Sequence, residues 1–375
     1  MEWSNQTLGD YCEVIAGQSP EGKYYNTSGQ GLPFYQGKKE FGDRFIGAPK
    51  KWTTKVTKEA VAGDILMSVR APVGPINFST QNICIGRGLA AIRPNEKLSQ
   101  DFLFYYLLSK QDEIIGNEGA VFASINKSQI EALSFSYVDL IEQKRIVALL
   151  DTVFADLEQT RAKTEQNLKN ARELFDSYLQ QVFSQKGEGW EEGTFNNVLE
   201  IRSGRNQKAV LDLDGKYPIY GSAGKVMNWA NSYICEENTT IIGRKGTINS
   251  PMYMTTKFWN VDTAFGLIAG EKLNNKFLFY FCKSFDFSKL DKGTTLPSLV
   301  KKDLVKIIMP FPKLDKQKNL VKKLDELSLN IKKVEDIYQE KLNSIDELKK
   351  SILQKAFSGK LIKSEKQSQH EENKV

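Results

Sequence analysis

EQKRIVALLD (142–151), TVFADLEQTRAKTEQNL (152–168) and KNARELFDSYLQQVFSQK (169–186) follow one another without a break, and KQKNLVKKLDELSLNIKKVEDIYQEKLNSIDELKKSILQKAFSGK (316–360) repeats them at an offset of 174. Gln143, Lys144, Val147, Leu150 and Asp151 recur as Gln317, Lys318, Val321, Leu324 and Asp325. Leu168, Glu173, Leu174, Ser177, Leu179, Gln180 and Phe183 recur as Leu342, Glu347, Leu348, Ser351, Leu353, Gln354 and Phe357, with no gap needed. Steps of four and three from Ile146 pass Leu150, Val153, Leu157, Leu174 and Tyr178. From Leu320 they pass Leu324, Leu327, Ile331, Val334, Tyr338, Ile345, Leu348 and Ile352. An apolar 3.5-residue period predicts a coiled-coil seam. A helix of roughly 40 residues is about 60 Å long and needs a partner, which its own copy supplies. The middle of the first seam is polar, at Thr160, Thr164 and Asn167.

The repeat extends in front of both helices. Trp3, Leu8, Val14 and Gly17 match Trp190, Phe195, Ile201 and Gly204 at an offset of 187. GLPFYQG (31–37) is answered by KYPIYGSAG (216–224), and GDILMSVRAPVG (63–74) by NTTIIGRKGTI (238–248). EKLSQDFLFYYLLS (96–109) is answered by EKLNNKFLFYFCKS (271–284), and FLFYYLLS reads as a short buried helix behind a Ser-Gln-Asp start. The offset shrinks toward 174, so length differences belong to loops of the front portion. The chain is therefore expected to be α+β, with two similar mixed globular segments and two long antiparallel helices related by a pseudo-two-fold axis. The boundaries read as 1–140, a helix and linker over 141–187, 188–314, a second helix over 315–361, and a disordered polar tail over 362–375 that holds the single histidine, His370. A linker of five residues, QKGEG (185–189), favours the antiparallel arrangement, with the globular segments at opposite ends of a rod.

Composition narrows the function classes. There is no apolar run of transmembrane length and no leader, so export is not expected and the cytoplasm is. Cys12, Cys84, Cys235 and Cys282 lack CxxC spacing and read as reduced thiols. The net charge of +6 is uneven: residues 1–187 hold 21 Lys/Arg against 22 Asp/Glu, and residues 188–375 hold 31 against 24. Such a balance permits a polyanionic partner. Two similar domains held apart suit a two-fold target with spaced half-sites, such as duplex DNA with grooves one turn (~34 Å) apart. Lys38, Lys39, Arg44, Lys50 and Lys51, interleaved with aromatic residues, are candidate DNA contacts, as is Arg70. In the second half the candidates are Arg202, Arg205, Asn206, Lys208, Lys225, Arg244 and Lys245. Lysine neutralises phosphate, whereas Arg and Asn pair with base edges. Arg70 and Arg244 hold similar positions after a strand. An alternative for any of these cations is a solvated loop rim or a carbonyl cap.

Enzyme readings fail on the motifs. No Asn/Asp-Pro-Pro-aromatic motif is present for adenine methylation, and no GxxxxGK[ST] for ATP hydrolysis. GRGLAA (86–91) fits a dinucleotide pattern but leads into IRP rather than a helix. DLDGK (212–216) is ordinary turn chemistry. No catalytic or metal-ligating residues are assigned. A plain coiled-coil scaffold explains the helices but not two divergent globular segments.

The chain resembles the specificity (S) subunits of type I restriction–modification systems. The resemblance rests on EQKRIVALLD, KQKNLVKKLDEL and LKKSILQKAFSGKL, with GDILMSVRAPVG, IIGRKGTI, YPIYGSAG and GTTLPSL, and covers the chain up to Lys363. It implies two target recognition domains, helices that act as a ruler, and a bipartite site in double-stranded DNA. It implies two modification (M) subunits that bind S-adenosylmethionine and restriction (R) subunits that use ATP and Mg2+, with no cofactor on this chain. A methylation-only or type II-like bipartite system without a separate R subunit is the alternative within the resemblance. APVG and FASIN of the first domain depart from KGTI and LPSL of the second, which leaves the first DNA-facing loop less defined.

Overall fold

The computed structural model describes residues 4–115 and 124–358. Trp3, His370 and the 362–375 tail lie outside them. The chain divides into two compact units. One holds residues up to Lys163 together with those from Lys341 onward, and the other is Thr164–Glu340. Two long helices, Leu140–Ser184 and Leu314–Phe357, each give one half to each unit.

The globular parts of the units share one plan. In the first, Ser4–Thr7 pairs antiparallel with Ser134–Tyr137. A four-stranded antiparallel sheet follows in the order Cys12–Ala16, Leu89–Pro94, Ile65–Ser68, Ile76–Phe78. In the second, Glu191–Thr194 pairs with Ile308–Phe311, and the sheet runs Leu199–Ser203, Ala264–Ala269, Thr239–Gly243, Met252–Met254. Each unit adds a second sheet around one parallel pair, five short strands including Leu32–Tyr35 with Ile83–Ile85 in the first and three strands including Tyr217–Tyr220 with Trp259–Asn260 in the second. Gly17 still matches Gly204, but helix Gln100–Ser109 matches Asn275–Ser284, an offset of 175. The first unit's extra length lies after Gly17, in the segment that carries the candidate lysines.

Gly17 and Gly204 recur for a steric reason. A Cβ at Gly17 would lie 2.2 Å from Gly86 O, and one at Gly204 would lie 1.8 Å from Val261 O. The strand ends there press on the backbone of the next turn. FLFYYLLS and FLFYFCKS form the expected helices, with residues 102–107 buried in the first.

The repeated Gln explains itself in the same way. Gln143 is fully buried; its Oε1 accepts from Ser99 N at 2.7 Å, and its Nε2 donates to Lys97 O at 2.9 Å and Val138 O at 2.8 Å. Gln317, also fully buried, accepts from Asn274 N at 2.8 Å and donates to Lys272 O at 2.9 Å and Pro312 O at 2.8 Å. One amide thus ties the start of each domain helix to the start of each long helix, satisfying three main-chain groups.

The helix halves run antiparallel within each unit. In the first unit, Arg161 pairs with Asp346 and Lys349 with Glu158, and Leu353 and Ala356 join a core with Ile146, Leu150 and Phe154. In the second, Arg172 pairs with Glu335, and Leu324 shares a core with Phe175, Leu179 and Phe183. The predicted seam needs correction. Ile146, Leu150, Leu324 and Ile345 are buried, whereas Val153, Leu157, Tyr178, Leu320, Leu327, Ile331, Val334, Tyr338 and Ile352 are half-buried. Leu174 and Leu348 are 60% and 48% exposed and do not belong to it. The deepest rows are Ile146, Leu150, Phe154 and Phe175, Leu179, Phe183, spaced by four throughout. Rows at i±4 form the ridge of a helix packed on a globular layer. A pure 3.5-residue period holds only where helix faces helix, and here each long helix also forms the floor of a domain core. Of the polar seam positions, Thr164 is buried, Thr160 half-buried and Asn167 exposed.

Candidate nucleic-acid interface

Arg70 follows strand Ile65–Ser68 and forms an isolated antiparallel bridge with Ser124. Val69 N donates to Gly88 O at 3.0 Å and Ile125 N to Val69 O at 3.0 Å, so three chain segments meet. The middle segment is the GRG turn. Gly86 N donates to Tyr35 O and Gly88 N to Gln36 O, and a Cβ on Gly88 would lie 2.5 Å from Gln36 O. The two glycines let the turn lie flat on the sheet while Arg87 between them is exposed. GRGLAA runs into strand Leu89–Pro94, so it has no helix start on which to seat a dinucleotide phosphate. Arg70, Arg87, Asn126 and Lys127 line a cavity of about 450 Å³ floored by Gly17 and Leu89. Lys127 is shared with Glu131 at 3.4 Å. Among the described residues, no hydrogen bond or ion pair occupies the Arg70 or Arg87 side chain. Arg87, Asn126 and Lys127 are brought to the site by the fold, and for Arg87 the flanking glycines carry a signal in the sequence.

The second unit builds the same frame with other side chains. Lys245 forms the bridge with Ser298, Leu299 N donates to Arg244 O at 2.8 Å, and Arg244 N donates to Thr263 O at 2.8 Å. By these bonds Lys245 is the counterpart of Arg70, and Arg244 that of Val69, one residue from the match read in the sequence. Asp262 takes the place of Arg87 and is likewise exposed. Arg244 lies over the Phe265 ring at 5.7 Å and donates to Asp262 O at 3.3 Å. The two domains thus offer opposite charge at one corresponding point.

The other candidates divide into free and committed groups. Lys39, Lys50 and Lys51 are exposed, and Lys38 is half-buried in the 3-10 turn Lys38–Glu40. The Lys51 ammonium lies 6.0 Å from the Tyr25 ring. Arg205, Asn206, Lys208 and Lys225 are exposed, with Lys225 on the hairpin before strand Val226–Ala230. Asn206 Oδ1 accepts from Lys208 N at 2.9 Å, so its acceptor is used within its own turn. Arg202 is held by Glu200 at 2.8 and 3.1 Å and donates to Ile234 O at 2.9 Å. The hydrogen bonds from Arg202 to Glu200, with the guanidinium charge behind them, keep the Glu200 carboxyl below its usual range. Arg44 is paired with Asp101 at 2.7 Å and Asp151 at 3.3 Å and lies over Phe78, Phe104 and Tyr105. Arg44 and Arg202 are thus both engaged by carboxylates within the chain. A carboxylate network needs a cation among aromatic residues as much as a phosphate does, so residue type alone did not separate these roles.

A family model described as the type I restriction modification DNA specificity domain matches residues 1–168 and again 187–343. The MjaX type I restriction enzyme specificity subunit of Methanocaldococcus jannaschii is 40% identical over 176 residues, which span 46% of this chain and 41% of that protein. The EcoDI specificity subunit of Escherichia coli is 22% identical over 416 residues, covering 96% of this chain and 89% of the relative. Among solved structures, a chain from a study of complex assembly in the type I R-M system superposes with a TM-score of 0.81 at 19% identity, covering 96% of this chain and 98% of that one. The HsdS subunit from Thermoanaerobacter tengcongensis gives a TM-score of 0.58 at 19% identity, with 96% and 97% covered. These structures share the fold.

Proposed function

The chain belongs to the family of type I restriction–modification DNA specificity domains, of which it carries two copies, and we propose that it reads a bipartite, asymmetric site in double-stranded DNA with one half-site per domain. The observation that carries this is one backbone frame built twice with different exposed side chains: Arg70, Arg87 and Lys127 in one copy, Lys245 and Asp262 in the other. Arginine pairs with guanine O6 and N7, and a carboxylate accepts from cytosine N4. Lys39, Lys50, Lys51, Arg205, Lys208 and Lys225 supply phosphate contacts that set register without reading sequence. The long helices fix the spacer.

The chain is the recognition component, and chemistry belongs to its partners. Two M subunits bring S-adenosylmethionine; R subunits bring ATP and Mg2+. The repeat supports two copies of one partner. Leu174 and Leu348 are equivalent, outward and 60% and 48% exposed, and Glu173 and Glu347 beside them are exposed as well. Packing within the chain does not require these identities, whereas an identical subunit docking twice does. Among the described residues no helix is long and apolar enough to cross a membrane, and the cytoplasm, where host DNA lies, is the proposed location.

The test is a domain exchange. Residues 1–140 are replaced by the corresponding domain of another family member, and adenine methylation is mapped genome-wide by single-molecule sequencing. One half of the methylated site changes and the other half and the spacer stay. A change in both halves together, or methylation that persists without any M subunit, refutes the reading.

A further inference from the structure

Asp151 and Asp325 occupy equivalent points on the two long helices, and each accepts a hydrogen bond from a tyrosine of the domain above it. Tyr105 Oη lies 2.5 Å from Asp151 Oδ1, and Tyr280 Oη lies 2.6 Å from Asp325 Oδ1. Both tyrosines are buried, and burial, then the carboxylate, pushes their hydroxyls well above the ordinary value, so they remain donors. A cation completes each cluster, and here the copies differ. In the second unit Lys276, from the same helix as Tyr280, reaches Asp325 at 2.8 Å. In the first it is Arg44, which comes from the loop between the candidate lysines Lys39 and Lys50 and also binds Asp101 at 2.7 Å. The backbone at Arg44 is held as well, its carbonyl accepting from Phe78 N at 2.8 Å. One carboxylate of the long helix thereby holds both the domain's core helix and its lysine-bearing loop.

We infer that Asp151 and Asp325 are positioning residues that set how each recognition domain sits on its helix, and hence how sharply the complex discriminates spacer length; this rests on the function proposed above. The role of these carboxylates needs no contact with DNA. Losing one leaves the base-reading side chains in place but lets the domain pivot on its apolar floor, so a site one base pair too long or too short becomes acceptable. Each carboxylate takes one tyrosine and one cation, but in the first domain the cation comes from the loop and also ties Asp101 of the core helix.

The experiment uses the full chain in complex with its methyltransferase subunits. Methylation kcat/KM is measured on duplexes with identical half-sites and spacers of the optimal length, one shorter and one longer. Wild type should prefer the optimal spacer. In Asp151→Asn and Asp325→Asn that preference should fall about tenfold, equivalent to 1.4 kcal/mol, while changes to half-site bases remain as damaging as before. Tyr105→Phe, which keeps the ion pair and the packing, should give a smaller fall and serves if Asp151→Asn does not fold. Leu179→Ala, a cavity variant, should lower activity on all spacers alike. An unchanged spacer preference in the Asp and Tyr variants, with only a uniform loss of rate, overturns the inference. A wild type that methylates every spacer equally instead overturns the ruler reading on which it rests.

Discussion

Replacing Gln143 or Gln317 by methionine isolates what the repeated amide does. Methionine nearly matches the volume, so packing changes little. What is lost is three main-chain partners: for Gln143, Ser99 N, Lys97 O and Val138 O. A buried polar group left unpaired costs about 1–3 kcal/mol. The Val138 carbonyl bond is fully buried and should lose the upper part of that range, whereas the bonds to Ser99 and Lys97 are partly buried and water recovers some of their loss. The total is about 3–5 kcal/mol, a large share of the 5–15 kcal/mol typical of a folded domain. For a unit of this size each kcal/mol moves Tm by about 2–4 °C, so a fall of roughly 10 °C is expected in differential scanning calorimetry. Hydrogen exchange should locate the damage. Gln143→Met should loosen the start of helix Gln100–Ser109 and Gln317→Met that of Asn275–Ser284. Gln166→Met, on the exposed face, should stay within about 0.5 kcal/mol of wild type. Shifts below about 2 °C in both buried variants would refute the assignment of the repeat to these bonds.

Four further outcomes are expected. Gly204→Ala places a Cβ 1.8 Å from Val261 O and should cost about 3 kcal/mol or more in urea unfolding; a neutral result would mean that the turn moves freely. Arg70→Ala and Lys245→Ala should each weaken DNA binding and lower the slope of log K against log salt by about 0.9 if they meet phosphate; a loss confined to one base position instead marks base reading. Leu174→Glu with Leu348→Glu should leave the isolated chain's Tm unchanged but weaken assembly with the M subunits at least about tenfold in sedimentation or titration; intact assembly would remove these leucines from the interface. Hydrogen bonds from Ser288 and Asn249 hold the Asp286 carboxyl below its ordinary 3.8, and main-chain bonds from Ser298 and Gly293 do the same for Asp291. Their contribution is present above that value and is lost as pH falls through the lower folded values, so loop 286–298 should open at its acid edge first, and Asp291→Asn should remove part of that pH dependence in proteolysis assays.

The sequence by itself determined the duplication, the two long helices, the short domain helices and the family. These depend on periodicity and on identity between the copies, which a linear string displays. It also marked Gln143 with Gln317 and Asp151 with Asp325 as pairs, without giving their work. That work lies in main-chain groups of Lys97 and Lys272 and in the hydroxyls of Tyr105 and Tyr280, more than 40 positions away. Only the tertiary structure decided which apolar residues face inward. Leu174 and Leu348 fit a 3.5-residue period and point out, because the helix is shared between a partner helix and a domain floor and the deepest row follows the interval of four. Only the tertiary structure separated the cations. Arg44 and Arg70 look alike in a string; one neutralises Asp101 and Asp151 and lies over aromatic rings, and the other stands exposed beside Arg87. The physical reason is that a charge is free or committed according to what the fold brings within 4 Å of it, and that neighbourhood is assembled from distant parts of the chain.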